Sequence, residues 1–264
     1  MKKYKLIAID VDGTLVNKEK KILKETKEDI IKAYENGIIV VIATGRSLPA
    51  ARQYFSQFNF NIPLILYNGA VIRMSEDESI ILNKTHSPEK SKEIFKFITD
   101  NDATCCFWSE DKLYFNKENY YSEFYEKITT IKPNIIKNSS DVNFNNINKF
   151  IWFDKPEVLE KVKKDILCKV SEINFFNSQK DFLEIVPLGI SKGDTLDYLA
   201  RSLNIDQSEV IAIGDDENDL SMIRYAGLGV AMENAKESVK NEADYITLSN
   251  EKNGVGKVIN KYIL

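Results

Sequence analysis

Four short apolar runs punctuate the chain: Leu6 to Ile9, Ile38 to Ala43, Leu64 to Tyr67 and Val210 to Ile213. Each stops abruptly at polar or glycine residues. Their hydrophobicity is continuous rather than alternating, which predicts strands buried on both faces, as in a parallel sheet covered by helices. Between the first two runs, Leu23, Ile30, Ala33 and Tyr34 fall near helical spacing, and Asn36-Gly37 supplies a left-handed stop. The predicted unit is strand, helix, strand. The C-terminal third repeats it, with a helix over Thr195 to Leu203, a strand over Val210 to Ile213 and a helix over Asp219 to Ala226. Further short strands are expected at Gly227 to Met232 and Tyr245 to Thr247.

From about Lys84 to Ile185 the pattern changes. This stretch is rich in aromatics, among them Phe107, Trp108, Tyr114, Phe115, Tyr120, Tyr121, Phe124, Tyr125, Trp152 and Phe153, and has its own alternation of strands and helices. It reads as a second α/β domain, residues 84–185, inserted into a discontinuous core of residues 1–83 and 186–264. About 100 and about 160 residues are each enough to bury a core. Within the insert, Lys137 to Lys149 carries five asparagines and reads as a polar loop. The aromatics are expected to form hydrophobic core, because a base-stacking platform needs a basic groove that the sequence lacks.

Charge narrows the partners. The chain of 264 residues has 36 Lys+Arg against 40 Asp+Glu, a net charge of −4, with its lysines scattered. That leaves no footprint for nucleic acid or for an anionic membrane surface. The longest aliphatic stretch, Ile38 to Ala43, falls far short of the ~20 residues that span a bilayer. Behind Lys2, Lys3 and Lys5, the run Leu6 to Ile9 is too short for a signal peptide. The expected protein is cytoplasmic, a monomer or weak homodimer, with a small-molecule partner.

Cys105, Cys106 and Cys168 show no zinc or disulfide spacing and read as reduced core thiols. The single histidine, His86, lies among Thr85, Ser87 and Pro88 and reads as a solvent-exposed loop residue. Gly227-Leu228-Gly229 continues to Met232 where a dinucleotide fingerprint needs its third glycine, and there is no phosphate-binding GxxxxGK[ST] loop. Carboxylates, lysine and a metal are left to do any chemistry.

The acidic residues sit where buried strands end. Asp10 follows Ile9 directly, with Asp12, Gly13 and Thr14 behind it, and Gly214-Asp215-Asp216-Glu217-Asn218-Asp219 follows Ile213 in the same way. Parallel strands bring such ends together at the carboxyl edge of the sheet. Carboxylates clustered without His or Cys favour a hard cation, Mg²⁺ above all. Thr44-Gly45-Arg46 ends the second run with a hydroxyl, a flexible amide and a cation, groups that suit a phosphate, and Lys192 stands just before a predicted helix.

Asp10-Val11-Asp12-Gly13-Thr14-Leu15 closely resembles the first motif of the haloacid dehalogenase-like (HAD) superfamily. Ala43-Thr44-Gly45-Arg46, Lys192-Gly193 and Gly214 to Asp219 resemble its second, third and fourth. An insert between the second and third motifs resembles the α/β cap of the Cof-type, subclass IIB phosphatases. The likeness extends to Tyr67-Asn68-Gly69-Ala70, Leu183-Glu184-Ile185 and Gly229-Val230-Ala231-Met232-Glu233-Asn234-Ala235. It implies a Rossmann-like parallel-sheet HAD core with an inserted α/β cap domain, and a Mg²⁺-dependent phosphatase acting on a small phosphate monoester such as a sugar phosphate.

Carried over by position, the resemblance casts Asp10 as the nucleophile that becomes an aspartyl-phosphate, and Asp12 as the acid for the leaving alcohol and the base for water. Thr44, the Gly45 amide and Lys192 would hold the phosphoryl oxygens, with a hydrogen bond from Asn218. Mg²⁺ would be bound by the carboxylates of Asp10 and Asp215 and the backbone carbonyl of Asp12, and Asp219 would order these ligands from behind. The leaving group would be read mainly by the insert. Two other readings stay open: a phosphomannomutase-like phosphotransferase, and a catalytically silent phosphate-ligand sensor.

Overall fold

A computed structural model describes residues 4–138, 140 and 142–264. The chain forms two compact units, one of Met1–Gly45, Arg52–Leu82 and Ser191–Leu264, the other of Arg46–Ala51 and Asn83–Ile190.

In chain order the elements begin β1 (Leu6–Asp10), α1 (Lys24–Glu35), β2 (Ile39–Ala43), α2 (Leu48–Phe55), β3 (Pro63–Leu66), β4 (Val71–Met74) and β5 (Ile80–Asn83). The inserted stretch contributes α3 (Pro88–Asp100), β6 (Thr104–Ser109), β7 (Lys112–Phe115), α4 (Tyr120–Thr129), β8 (Asn134–Ile135), β9 (Ile147–Phe153), α5 (Pro156–Leu167), β10 (Ile173–Gln179) and β11 (Phe182–Pro187). The chain returns with α6 (Lys192–Ser202), β12 (Val210–Gly214), α7 (Leu220–Tyr225), β13 (Leu228–Ala231), α8 (Glu237–Lys240), β14 (Tyr245–Ile246) and α9 (Gly254–Tyr262).

The first unit is built on a sheet of order β14-β13-β12-β1-β2-β3-β4-β5. All four runs picked out by hydrophobicity supply strands of its parallel part, with Ile38 just before β2 and Tyr67 just after β3, and β1 is buried along its whole length. Leu6, Ala8, Val41 and Ala43 share one core with Leu196 and Leu199 of α6 and Met222 of α7. The register pairs Ile9 with Ile213 and Asp10 with Ala43, so the three central strands end level with one another. α1 stops at Asn36, and Gly37 adopts φ 80° as its amide donates to the Tyr34 carbonyl. Two strands extend the sheet beyond the predicted set, and the first, β4, runs antiparallel to β3. Charged and polar residues from Arg73 to Ser79 interrupt the apolar pattern there.

Two helix boundaries differ from expectation for local reasons. α6 starts at Lys192 because the Ser191 side chain accepts from the Asp194 amide and caps it. The stretch Asp219 to Ala226 begins inside a separate turn, Glu217–Asp219, capped by Asp216, and only then becomes α7.

The second unit carries a sheet of order β10-β11-β9-β6-β7-β8. Ile94 and Ile98 of α3 and Leu159 and Ile166 of α5 pack with Phe107, Phe150, Trp152 and Leu183 from the strands. Tyr125 of α4 lies against Phe115, Phe153 and Phe182. The aromatics of this unit are thus largely core, whereas Tyr120 is 69% exposed.

Three sequence expectations are overturned. His86 is 3% exposed, its amide donating to the Ile147 carbonyl and its ring beside Phe150; its polar neighbours describe the backbone, not where the imidazole goes. Cys168 is exposed, because it caps α5, although Cys105 and Cys106 are buried in β6. The asparagine-rich stretch does not remain a loop as far as Lys149: β9 has begun at Ile147, and Lys149 is buried in an ion pair of 3.0 Å with Glu184. Among the described residues, no helix is long and apolar enough to cross a membrane.

Candidate active site

Asp10, Thr44, Lys192 and Asp215 all belong to the first unit. Asp10 closes β1, Thr44 follows β2 and Asp215 follows β12, and the matched registers of these parallel neighbours bring all three to one edge. After Asp10 the chain folds back, Leu15 N donating to Asp10 O at 3.1 Å and Val16 N to Val11 O at 3.1 Å. This turn needs Gly13, which adopts φ 89° and where a Cβ would collide with the Asp215 carboxylate. Thr14 Oγ1 donates to Asp215 Oδ1 at 2.8 Å, and Asn234 Nδ2 donates to the Gly13 carbonyl at 2.8 Å.

Lys192, on the first turn of α6, is wholly buried, and its ammonium donates to Asp10 Oδ1 and to Asp219 Oδ1, both at 2.6 Å. The other oxygen of Asp219 accepts from the Asp215 amide at 2.9 Å and the Asp216 amide at 3.1 Å. Asp219 is therefore engaged through both oxygens. The Asp12 Oδ1 accepts from Lys20 Nζ at 2.8 Å.

Burial raises the Asp10 carboxyl well above the ordinary carboxylate range; Asp219 and Asp215 add to this and Lys192 opposes it. Burial likewise lifts Asp215 to about 7, with Asp219 adding and the hydrogen bond from Thr14 opposing. For Lys192 burial is the largest influence and favours the neutral amine, but Asp10 and Asp219 together outweigh it and hold the ammonium above the ordinary lysine value. Carboxylate oxygens of Asp10, Asp215 and Asp219 lie within 4.8 Å of one another, with one lysine against three acids. This surplus of negative charge among hard oxygen donors fits a divalent cation such as Mg²⁺.

Residues 7–259 match the haloacid dehalogenase-like hydrolase family. The chain belongs to that family. It is 35% identical over 262 residues to the 5-amino-6-(5-phospho-D-ribitylamino)uracil phosphatase YcsE of Bacillus subtilis, covering 98% of this chain and 96% of that one. A haloacid dehalogenase-like hydrolase from Bacteroides thetaiotaomicron superposes with a TM-score of 0.90 at 31% identity, covering 98% and 99% of the two chains. The HAD subclass IIB sugar phosphatase BT4131 superposes with a TM-score of 0.82 at 27% identity, covering 97% and 98%. This HAD-family protein is a phosphatase, a hydrolase of phosphoric monoesters.

Of the motif residues in this HAD chain, the fold joins Asp10, Asp215, Asp219 and Lys192 in one bonded cluster. Thr44 is buried, its amide bonded to the Ile65 carbonyl at 2.8 Å. Asn218 Nδ2 donates to Asn68 Oδ1 at 3.0 Å. The sequence marks Thr14, Asn68 and Asn234 only as members of family-like stretches, with no role for any of them, and does not mark Lys20 at all. For Asn68 a signal was present: it follows the third apolar run immediately and so belongs to the same strand-end edge as Asp10 and Thr44.

Proposed function

We propose that this chain is a Mg²⁺-dependent phosphatase that hydrolyses a small phosphate monoester through an aspartyl-phosphate on Asp10. The observation that carries the reading is Lys192 bonded to Asp10 and Asp219 in a buried cluster. A phosphate dianion can approach Asp10 only where positive charge offsets the repulsion. Lys192 supplies part of that charge and fixes one oxygen of Asp10, so the carboxylate is oriented before substrate arrives. Asp10 and Asp215, with the Asp12 carbonyl, are the residues assigned to hold Mg²⁺, and Asp219 steadies Lys192 and the Asp215 loop. When bound, Mg²⁺ supplies charge stabilisation at the phosphoryl oxygens.

In the first step a carboxylate oxygen of Asp10 bonds to phosphorus as the ester P–O bond breaks, and Asp12 passes its proton to the departing alkoxide. In the second step Asp12 takes a proton from water as the water oxygen bonds to phosphorus and the Asp10–phosphorus bond breaks, releasing inorganic phosphate. Thr44, the Gly45 amide, Lys192 and Asn218 are assigned to the phosphoryl oxygens. The insert, Lys84 to Ile185, is assigned the reading of the leaving group.

Two relatives carry names that share a chemistry, a phosphate on a polyhydroxylated carbon chain: a phosphorylated ribityl group in one and a sugar phosphate in the other. The substrate proposed here is of that class. The test is a phosphate-release panel over sugar phosphates, ribityl-type phosphates, nucleotides, pyridoxal phosphate and flavin mononucleotide, with Mg²⁺ and with excess EDTA. Turnover of a polyol phosphate only with the metal is expected. Isomerisation without release would favour a phosphotransferase, and release undiminished in EDTA would refute the metal site.

A further inference from the structure

Tyr67-Asn68-Gly69-Ala70 has no part in the chemistry above, yet its backbone is the most unusual stretch at the site. Tyr67, Asn68 and Gly69 all have positive φ, at 53°, 58° and 110°. Glycine takes such angles freely and asparagine tolerates them, but an aromatic residue does so only under constraint from its surroundings. That constraint is visible here. The Asn68 amide donates to the Thr44 carbonyl at 3.1 Å, and the Gly69 carbonyl accepts from Thr195 Oγ1 at 2.7 Å. Tyr67 and Asn68 are each 1% exposed.

This turn delivers the Asn68 carboxamide to a particular place. Its oxygen accepts from Asn218 Nδ2 at 3.0 Å. The same oxygen lies so close to Gly45 that a Cβ on residue 45 would stand 2.8 Å from it. A side chain at 45 would therefore press on the Asn68 carboxamide and displace it. One buried side chain thus touches two residues assigned to the phosphoryl oxygens, which reach the edge from different strands.

We propose that Asn68 is a positioning residue for phosphate binding: it fixes the Asn218 amide, and with it the direction of the second Nδ2 hydrogen, against the Gly45 backbone. A carboxamide nitrogen carries two hydrogens in one plane, so committing one to Asn68 Oδ1 sets the line of the other. The rotational freedom that Asn218 would otherwise lose on binding substrate is removed beforehand. This inference rests on the phosphatase reading and on the assignment of Asn218 to the phosphoryl group.

The test is a double-mutant cycle read by competitive inhibition with inorganic phosphate and by kcat/KM on the best substrate of the panel. Asn68→Gly removes the amide while keeping a residue at ease with φ 58°, so the melting temperature should stay near that of the unaltered chain. It should weaken phosphate binding by up to about tenfold, the worth of one hydrogen bond. Asn218→Ala should cost about as much, and the double variant should lose no more than either single change. Asn68→Ala, which deletes the same amide from a backbone carrying a Cβ, should give the same cycle and serves if the glycine variant is unstable.

Losses that multiply to about a hundredfold in the double variant would overturn the proposal, because a general structural defect adds to the loss of Asn218 and does not vanish with it. Phosphate binding unchanged in Asn68→Gly would overturn it equally. If the unaltered chain releases no phosphate from any substrate, the phosphatase reading falls; an active chain with an additive cycle removes Asn68 alone.

Discussion

Lys192 Nζ stands 2.6 Å from Asp10 Oδ1, with the lysine side chain wholly buried and the aspartate side chain 7% exposed. The two residues lie 182 positions apart in sequence. Removing the lysine leaves Asp10 and Asp219 facing each other without a counter-charge in a buried site. Lys192→Met should therefore lower unfolding free energy by about 3–5 kcal/mol, the usual cost of breaking a buried pair from one side. Phosphate release should fall by at least about 10²-fold. Urea unfolding and a phosphate-release assay check the two effects, and a variant as stable as the parent would show that the pair is not the anchor described here.

Metal binding should register in stability as well as in rate. Asp10 and Asp215 with their neighbours form an acidic surplus, so Mg²⁺ at about 100 times its dissociation constant should stabilise the chain by about 2.7 kcal/mol. Asp215→Asn should abolish most of that increment. Thermal melts with Mg²⁺ and with EDTA measure it without any substrate; equal Mg²⁺-dependent shifts in both proteins would place the ion elsewhere.

The two aspartates of the first motif should fail differently. Asp10→Asn removes the attacking oxygen, so no phosphoryl group should attach to the protein. Asp12→Asn keeps the nucleophile and loses the proton carrier, at a cost of about 10² to 10⁴ in rate. With an activated aryl phosphate its first step should suffer least, and phosphorylated Asp10 should accumulate. Mass spectrometry after borohydride trapping distinguishes these outcomes, and label on any peptide lacking Asp10 would show the nucleophile misassigned.

His86 gives a pH signature independent of the chemistry. Burial pushes its imidazole down to about 4, with Lys90 adding slightly and the Ile185 carbonyl opposing. The folded chain thus holds a neutral ring, whereas the unfolded chain takes up a proton near pH 6.5. Stability is fully present above about 6.5 and falls as the pH drops from there towards about 4, by about 3 kcal/mol in all. With one histidine in the chain, a His86→Phe variant should lack this slope while sharing every carboxylate contribution. Parallel slopes between pH 7 and 5 in urea unfolding would contradict the burial of the ring.

What the sequence discloses here is whatever depends on strand ends. Asp10, Thr44 and Asp215 each follow a continuous apolar run, and a parallel sheet brings such ends together whatever their separation in the chain. Side-chain destinations are less legible. Thr85, Ser87 and Pro88 suggest a loop, and the backbone between β5 and α3 is one, but nothing local says that the ring between them turns towards Phe150. Lys149 sits two residues into a strand whose approach is crowded with asparagines, and Glu184, brought alongside by β11, gives its charge a buried partner. The role proposed for Asn68 was hidden for a related reason, since it depends on a side-chain contact with Asn218 that only the folded loops create.

The order of the strands also sets a timetable. β1 is made first, yet of its two neighbours only β2 follows at once, while β12 is synthesised after the whole insert. At ribosomal speeds of about 5–20 residues per second, the roughly 200 residues between them take about 10–40 s. Throughout that interval the apolar flank of β1 and the carboxylate of Asp10 await Val210 to Ile213 and Lys192. The inserted strands, β6 to β11, are contiguous and can pair with one another as they emerge. A chain cut short after the insert would thus expose an open edge in the middle of its central sheet, the kind of edge that recruits other chains.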